Sequence, residues 1–198
     1  MSKNILVLAA HPDDETLGCG ATMAKLSDEG HNIQLLTFTD GVSSRDTDGN
    51  RNDVLGKVKN ILGLSSYSYG DFPDNKMDSV PLLDVCKFIE DNVEVEPDII
   101  FTHHRGCLNI DHQIVHRATL TSFRPQSGNN IKIYSYYVPS STDYNPNNSF
   151  NGTVYYDEEM REYPHTRSYK NVENLMRVWG SEVGLEFAEK FELVREVL

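Results

Sequence analysis

The chain has 198 residues, a formal charge of −12, and is 38% hydrophobic and 24% charged. That size and composition suit one globular domain with a real core, and they exclude a fibre or a disordered chain. The acidic balance argues against nucleic acid or an anionic membrane as the main partner, because both demand a basic face.

Residues 5–10 are an unbroken apolar run directly after Met1-Ser2-Lys3-Asn4. The run is too short to span a bilayer, so it reads as a central strand covered on both faces, not as a signal peptide or anchor. Leu17, Met23, Ala24 and Leu26 fall at helical spacing, which predicts a helix over 16–30 that stops at Gly30. The periodicity then predicts a strand at 32–39, a helix at 51–62 stopped by Gly63, a short strand at 66–69 and a helix at 80–95. A strand at 99–102, a helix from about 111 to 123 and a strand at 131–138 follow. The stretch 140–152 is rich in Ser, Asn, Pro and Tyr and reads as a long loop, of the kind that is often functional. Beyond it the expectation is a short strand at 153–156 and two helices, 169–178 and 184–197. Alternating strands and helices imply an α/β fold: a Rossmann-like, mostly parallel sheet flanked by helices, forming a single domain over 1–198. In such sheets the ligand sits outside the carboxyl ends of the strands. Cys19, Cys86 and Cys107 are odd in number, far apart and without a CxxC pair, so no disulfide framework is expected and a reducing cytoplasm is the simplest compartment.

Two polar constellations fall at strand ends. The first is His11-Pro12-Asp13-Asp14-Glu15, between the first strand and the first helix. Acids there could merely cap the helix. That reading leaves a histidine beside two adjacent aspartates unexplained, since neighbouring carboxylates repel unless a cation lies between them. Histidine plus carboxylate suits zinc, and an open zinc site needs one more protein ligand. Gly18-Cys19-Gly20 lacks the third glycine of a dinucleotide loop, and the acids beside it would repel a pyrophosphate. Close helix–strand packing explains those glycines better.

The second constellation follows the strand at 99–102. His103, His104, His112 and His116 place four of the seven histidines within fourteen residues, interleaved with Asn109 and Asp111. His112 and His116 could share a helix face as a zinc pair. Alternatively only His112 reaches the ion, with Asp111 orienting a neighbour and His116 packing. The distance of His116 from the strand edge favours the second arrangement.

At these loops the sequence resembles the LmbE/PIG-L-like zinc N-deacetylases. Ala10-His11-Pro12-Asp13-Asp14-Glu15-Thr16-Leu17-Gly18 is similar to the family's first motif, and Asn109-Ile110-Asp111-His112 to its second, often written His-x-Asp-His. Arg51, Phe72-Pro73-Asp74, Tyr163-Pro164-His165-Thr166-Arg167-Ser168 and Gly184…Ala188-Glu189-Lys190-Phe191 extend the likeness over most of the chain. The resemblance implies one Zn²⁺ per chain, with other divalent metals as substitutes, held by His11, Asp14 and His112. It also implies Asp13 as general base, Asp111 supporting from behind, Arg51 and Asp74 on the sugar, and His165 holding the oxyanion; Asn109 and His104 complete the candidate substrate-binding residues. Its substrates are N-acetylated amino sugars, and its members are frequently homo-oligomers. Asn109 stands where the motif has histidine and cannot carry a proton, so His104 or His165 are candidates for that duty. Tyr144, Tyr155 and Tyr156 could stack on a sugar, whereas Trp179 reads as core. Two rivals accompany this reading: a zinc- and sugar-binding protein without turnover, and a metal-dependent phosphoesterase, which would need more bridging carboxylates.

Overall fold

The computed structural model describes residues 2–45, 52–125, 130–146, 150 and 168–196. Six strands form one sheet: β1 (Asn4–Ala9), β2 (Asn32–Thr37), β3 (Ser66–Tyr69), β4 (Ile99–His103), β5 (Lys132–Tyr136) and β6 (Phe191–Arg195). Their spatial order is β3-β2-β1-β4-β5-β6. All neighbours pair in parallel except β5 and β6, which are antiparallel. Among the described residues five α-helices accompany the sheet: α1 (Asp14–Asp28), α2 (Asn52–Leu62), α3 (Leu82–Asn92), α4 (Ile110–Ser122) and α5 (Tyr169–Glu182). The expected α/β architecture is therefore present. Among the described residues, no helix is long and apolar enough to cross a membrane.

The apolar run of β1 is continuous because both of its faces are buried. Leu6 and Leu8 join Leu36, Phe38, Val85, Ile89, Ile114 and Val115 on one face. Ile5, Val7 and Ala9 join Met23, Ile33, Leu35, Leu62 and Tyr136 on the other. Each strand residue reverses face from its neighbour, so a single alternating strand feeds two separate cores.

The chain runs outward from β1 through β2 to β3, then returns to place β4 on the opposite side of β1. At this reversal the loops after β1 and β4 leave adjacent strand ends in different directions and open a crevice. The two polar constellations are those loops.

Gly18 sits where α1 crosses the end of β5. A Cβ added there would lie 2.2 Å from Tyr136 Cδ2, and Tyr136 is fully buried with its hydroxyl donating to Leu8 O at 2.8 Å. The close packing expected of this glycine pair belongs to Gly18 alone, since a Cβ on Gly20 meets only ordinary contacts. Gly18→Ala is expected to destabilise the fold by about 1–3 kcal/mol through overpacking. A lowered urea midpoint at unchanged slope checks this.

Two features depart from the sequence expectations. The helix expected at 184–197 is not there: after Gly184 (φ 74) the chain runs without helix to β6. Leu185, Ala188, Phe191 and Val194 are spaced by three, which mimics a helix. Pairing with the otherwise open edge of β5 wins instead. The segment leading into β6 is anchored by Ala188 N–H donating to Met176 O at 3.2 Å. Second, α1 contains a kink at Cys19 (φ −154, ψ 23). The carboxylate of Glu189 accepts from Ala21 N–H, Thr22 N–H and the Thr22 hydroxyl, capping the restarted helix from outside. The strand expected at 153–156 lies outside the described residues.

Candidate metal centre

The chain leaves β1 through a turn that no ordinary residue favours. Asp13 has φ 145 and ψ −22, a conformation with a cost of order 1–3 kcal/mol for a residue other than glycine. The fold holds it at three points. Asp13 N–H donates to Glu15 Oε2 at 3.2 Å, Leu17 N–H donates to Asp13 O at 2.9 Å, and the Thr16 hydroxyl secures Glu15 Oε1 at 3.0 Å. Glu15 is buried, which pushes its carboxyl pKa up to about 7. Its position in the first turn of α1 looked like ordinary capping in sequence; in the structure it reaches back two residues to brace the Asp13 turn.

This turn points Asp14 inward. Asp14 Oδ2 accepts from His11 N–H at 2.9 Å and lies 3.0 Å from His11 Nδ1 and 3.1 Å from His112 Nε2. The two ring nitrogens are 3.2 Å apart. Three donors from loops 98 residues apart in sequence thus form a near-equilateral triangle (112 − 14 = 98). Donors placed tetrahedrally at zinc's bond lengths would be roughly 3.4 Å apart, so relaxation by a few tenths of an ångström accommodates an ion. Asp14 is fully buried, yet its Oδ1 has no hydrogen-bond partner. A buried carboxylate oxygen without a donor is costly, and a cation resolves that cost.

The electrostatics agree. Burial alone would raise the Asp14 carboxyl, but His112, His103 and His11 hold it well below the usual range. Burial would lower His112, yet Asp14 pushes it up to about 9. Protons on imidazoles play the part that a metal would take.

His11 presents its other nitrogen to a different group. Nε2 lies 3.1 Å from Asp111 Oδ2 and 3.3 Å from Asp74 Oδ1. A ligand histidine commonly donates its remote N–H to a carboxylate, which fixes the ring. His11, Asp74 and Asp111 also form a second group that could hold a cation. Those acids are already satisfied. Asp111 accepts from Asn75 N–H at 2.7 Å and Met77 N–H at 3.0 Å, and Asp74 from Ser44 N–H at 3.1 Å and Asn75 Nδ2 at 3.0 Å. The unpartnered oxygen of Asp14 favours the first triangle.

The remaining expected residues divide. Asp74 is 2% exposed and bonded to His11 and Ser44; its pKa falls to about 2, His11 and Ser44 outweighing burial. Asn109 caps α4 by accepting from Asp111 N–H at 2.8 Å and donates to Asn75 Oδ1 at 3.0 Å. His104 is buried, with neither ring nitrogen hydrogen-bonded, its ring against Phe150 and its Nε2 3.5 Å from Glu192. It belongs to neither cation group. His116 gives its Nδ1 to His103 O at 2.7 Å and is likewise outside them. Tyr144 is exposed, and Trp179 packs edge-on against Tyr137 at 5.0 Å. Arg51, Tyr155, Tyr156, His165 and Arg167 lie outside the described residues.

Sequence reading gave no role to His103 or Cys107. His103 stacks on His112 at 3.8 Å between centroids, and its Nε2 accepts from Ala10 N–H at 2.9 Å. It supports the His112 ring by stacking on it. Cys107 Sγ lies 3.1 Å from His112 Nδ1. Burial alone would raise its thiol pKa, but the hydrogen bond and proximity of His112 carry it below the ordinary value.

The sequence matches the PIG-L family, described as GlcNAc-PI de-N-acetylase, over residues 6–123, which contain both loops. It is 31% identical over 147 residues to the "Uncharacterized deacetylase YaiS" of Escherichia coli (strain K12), covering 70% of this chain and 76% of that protein. The structure is similar to the N,N'-diacetylchitobiose deacetylase from Pyrococcus horikoshii, with a TM-score of 0.66 and 17% identity, covering 98% of this chain and 84% of that one. It is also similar to GalB, the 4-carboxy-2-hydroxymuconate hydratase from Pseudomonas putida KT2440, with a TM-score of 0.65 and 15% identity, covering 99% and 98%. At such identities the likeness shows a shared fold, and a hydratase on that fold means that the reaction must be argued from the site.

Proposed function

Because the chain belongs to the PIG-L family of de-N-acetylases, we propose that it hydrolyses the N-acetyl group of an N-acetylated amino sugar or its conjugate, using one Zn²⁺ held by His11, Asp14 and His112. The observation that carries this reading is the convergence of His11 Nδ1 and His112 Nε2 on Asp14 Oδ2, beside an Asp14 Oδ1 that has no hydrogen-bond partner. Zinc in such a site lowers the pKa of water to about 7 and polarises a carbonyl oxygen.

An amide resists hydrolysis because its carbonyl is a weak electrophile and its amine a poor leaving group. The chain's own groups address both. Asp13, next to the ligand Asp14 but not part of the triangle, accepts a proton from the attacking water as its oxygen bonds to the acetyl carbon. That proton then goes to the departing nitrogen as the C–N bond breaks, leaving acetate and a free amine. Asp111 and Asp74 act through His11: they keep its Nε2–H engaged, so that Nδ1 faces the cluster. The resemblance assigns oxyanion support to His165 and sugar contact to Arg51. Asn109, engaged at both ends of its side chain, serves the architecture of the loop and moves no proton. The free, buried state of Cys19, Cys86 and Cys107 is in keeping with a reducing cytoplasm as the working compartment.

The test is direct. Zinc-loaded protein is incubated with N-acetylglucosamine in free, phosphorylated, nucleotide-linked, inositol-linked and β-1,4-linked forms, and acetate and amine are quantified together. At least one substrate is expected to yield both in equal amounts. A protein that holds one zinc per chain and releases acetate from none of them would be a binder, not an enzyme.

A further inference from the structure

A histidine that ligates an ion through one ring nitrogen must keep its proton on the other, and the group facing that second nitrogen helps to fix the arrangement. For His11 that group is the carboxylate of Asp111. For His112 it is a sulfur. Cys107 Sγ lies 3.1 Å from His112 Nδ1, with both residues buried.

The surroundings set this sulfur in place. Cys107 N–H donates to His104 O at 3.1 Å, and Cys107 O accepts from Gln113 Nε2 at 2.7 Å. The loop is therefore pinned on both sides of the side chain. The Thr142 hydroxyl donates towards Sγ at 3.8 Å, so a second donor converges on the atom that faces His112. His103 stacks on the His112 ring at 3.8 Å between centroids and restrains its plane.

We propose that Cys107 is a positioning residue whose sulfur accepts the Nδ1–H of His112 and so holds the Nε2 lone pair towards Asp14 and His11. This inference rests on the reading of His112 as a metal ligand. Sulfur is a weaker acceptor than the carboxylate serving His11, so the two histidines are supported unequally.

The experiment measures zinc affinity by chelator competition in the full-length wild type, Cys107→Ala, Cys107→Ser and His112→Ala. It also follows the His112 Nδ1–H in the zinc-loaded protein by ¹H–¹⁵N correlation. Cys107→Ala is expected to bind zinc about 10–100-fold more weakly and to expose the Nδ1 proton to rapid exchange. Cys107→Ser, which keeps an acceptor on the same carbon, is expected to recover part of the loss. Unchanged affinity in Cys107→Ala, where His112→Ala abolishes binding, overturns the assignment and leaves the ligand set standing. Undiminished binding in His112→Ala overturns the ligand reading and this inference with it. Should Cys107→Ala fail to fold, the wild type decides alone: a His112 Nδ1 proton that exchanges freely with water in the loaded protein contradicts the proposal.

Discussion

Asp13→Ala is expected to lower the turnover of acetate release by about 10²–10⁴-fold, the usual contribution of a positioned general base, while the protein still takes up one zinc with its affinity unchanged. The two halves of this outcome separate base from ligand. Asp13 neighbours Asp14 but stands outside the triangle of donor atoms, so removing its carboxylate should leave the ion in place. Its backbone adds a second, independent test. At φ 145 any side chain is strained and glycine is not. Asp13→Gly should therefore be as inactive as Asp13→Ala yet more stable than it, by about 1 kcal/mol or more. Paired rate and urea measurements on the two variants check both points. A stability order that is reversed would mean that the turn is not strained, and retained turnover would mean that another group takes the proton.

Asp14→Ala should have the larger structural consequence. In the wild type the carboxylate faces His11 Nδ1, His112 Nε2 and, at 3.5 Å, His103 Nε2. Removing it takes away a proposed metal ligand and leaves His112, whose pKa Asp14 holds up, buried without that counter-charge, while His11 keeps Asp111 and Asp74. Loss of one partner of a buried ion pair costs about 3–5 kcal/mol, and loss of a ligand should weaken zinc by more than the roughly 100-fold that outer partners reach. Activity at matched zinc should vanish. Asp14→Asn separates the effects: it keeps shape and an oxygen but not the charge, so it should regain much of the stability and little of the metal affinity. Thermal melting with and without zinc distinguishes the cases, because only a protein that binds the ion gains stability from it.

Much of this was legible in the sequence, for physical reasons that can be named. The unbroken apolar run of β1 declares a strand with two buried faces, and the acid-rich turn behind it declares a site at the sheet's carboxyl edge. The short strand Ser66–Tyr69 and the helix stops at Gly30 and Gly63 are local events, written in local residues. What was not legible is non-local. β6 was read as helix because its apolar spacing is helical, and only the edge of β5, more than fifty residues earlier (191 − 136 = 55), makes it a strand. The kink at Cys19 depends on a carboxylate supplied by Glu189. Within the site, residue types announced a metal, but the assignment of nitrogens did not follow from spacing. His11 turns Nδ1 inward and Nε2 to Asp111, His112 does the reverse, and Asp74 faces His11, a contact that spacing did not suggest. Cys107 was dismissed with the other cysteines because it had no cysteine partner; its partner is an imidazole five residues on.

The most direct measurement is anomalous diffraction at the zinc absorption edge from crystals grown with a stoichiometric amount of zinc. One peak per chain is expected, within bonding distance of His11 Nδ1, a carboxylate oxygen of Asp14 and His112 Nε2, with His11 Nε2 still turned to Asp111. A peak bound elsewhere, or these two imidazoles directed away from a common point in the loaded protein, would contradict the account.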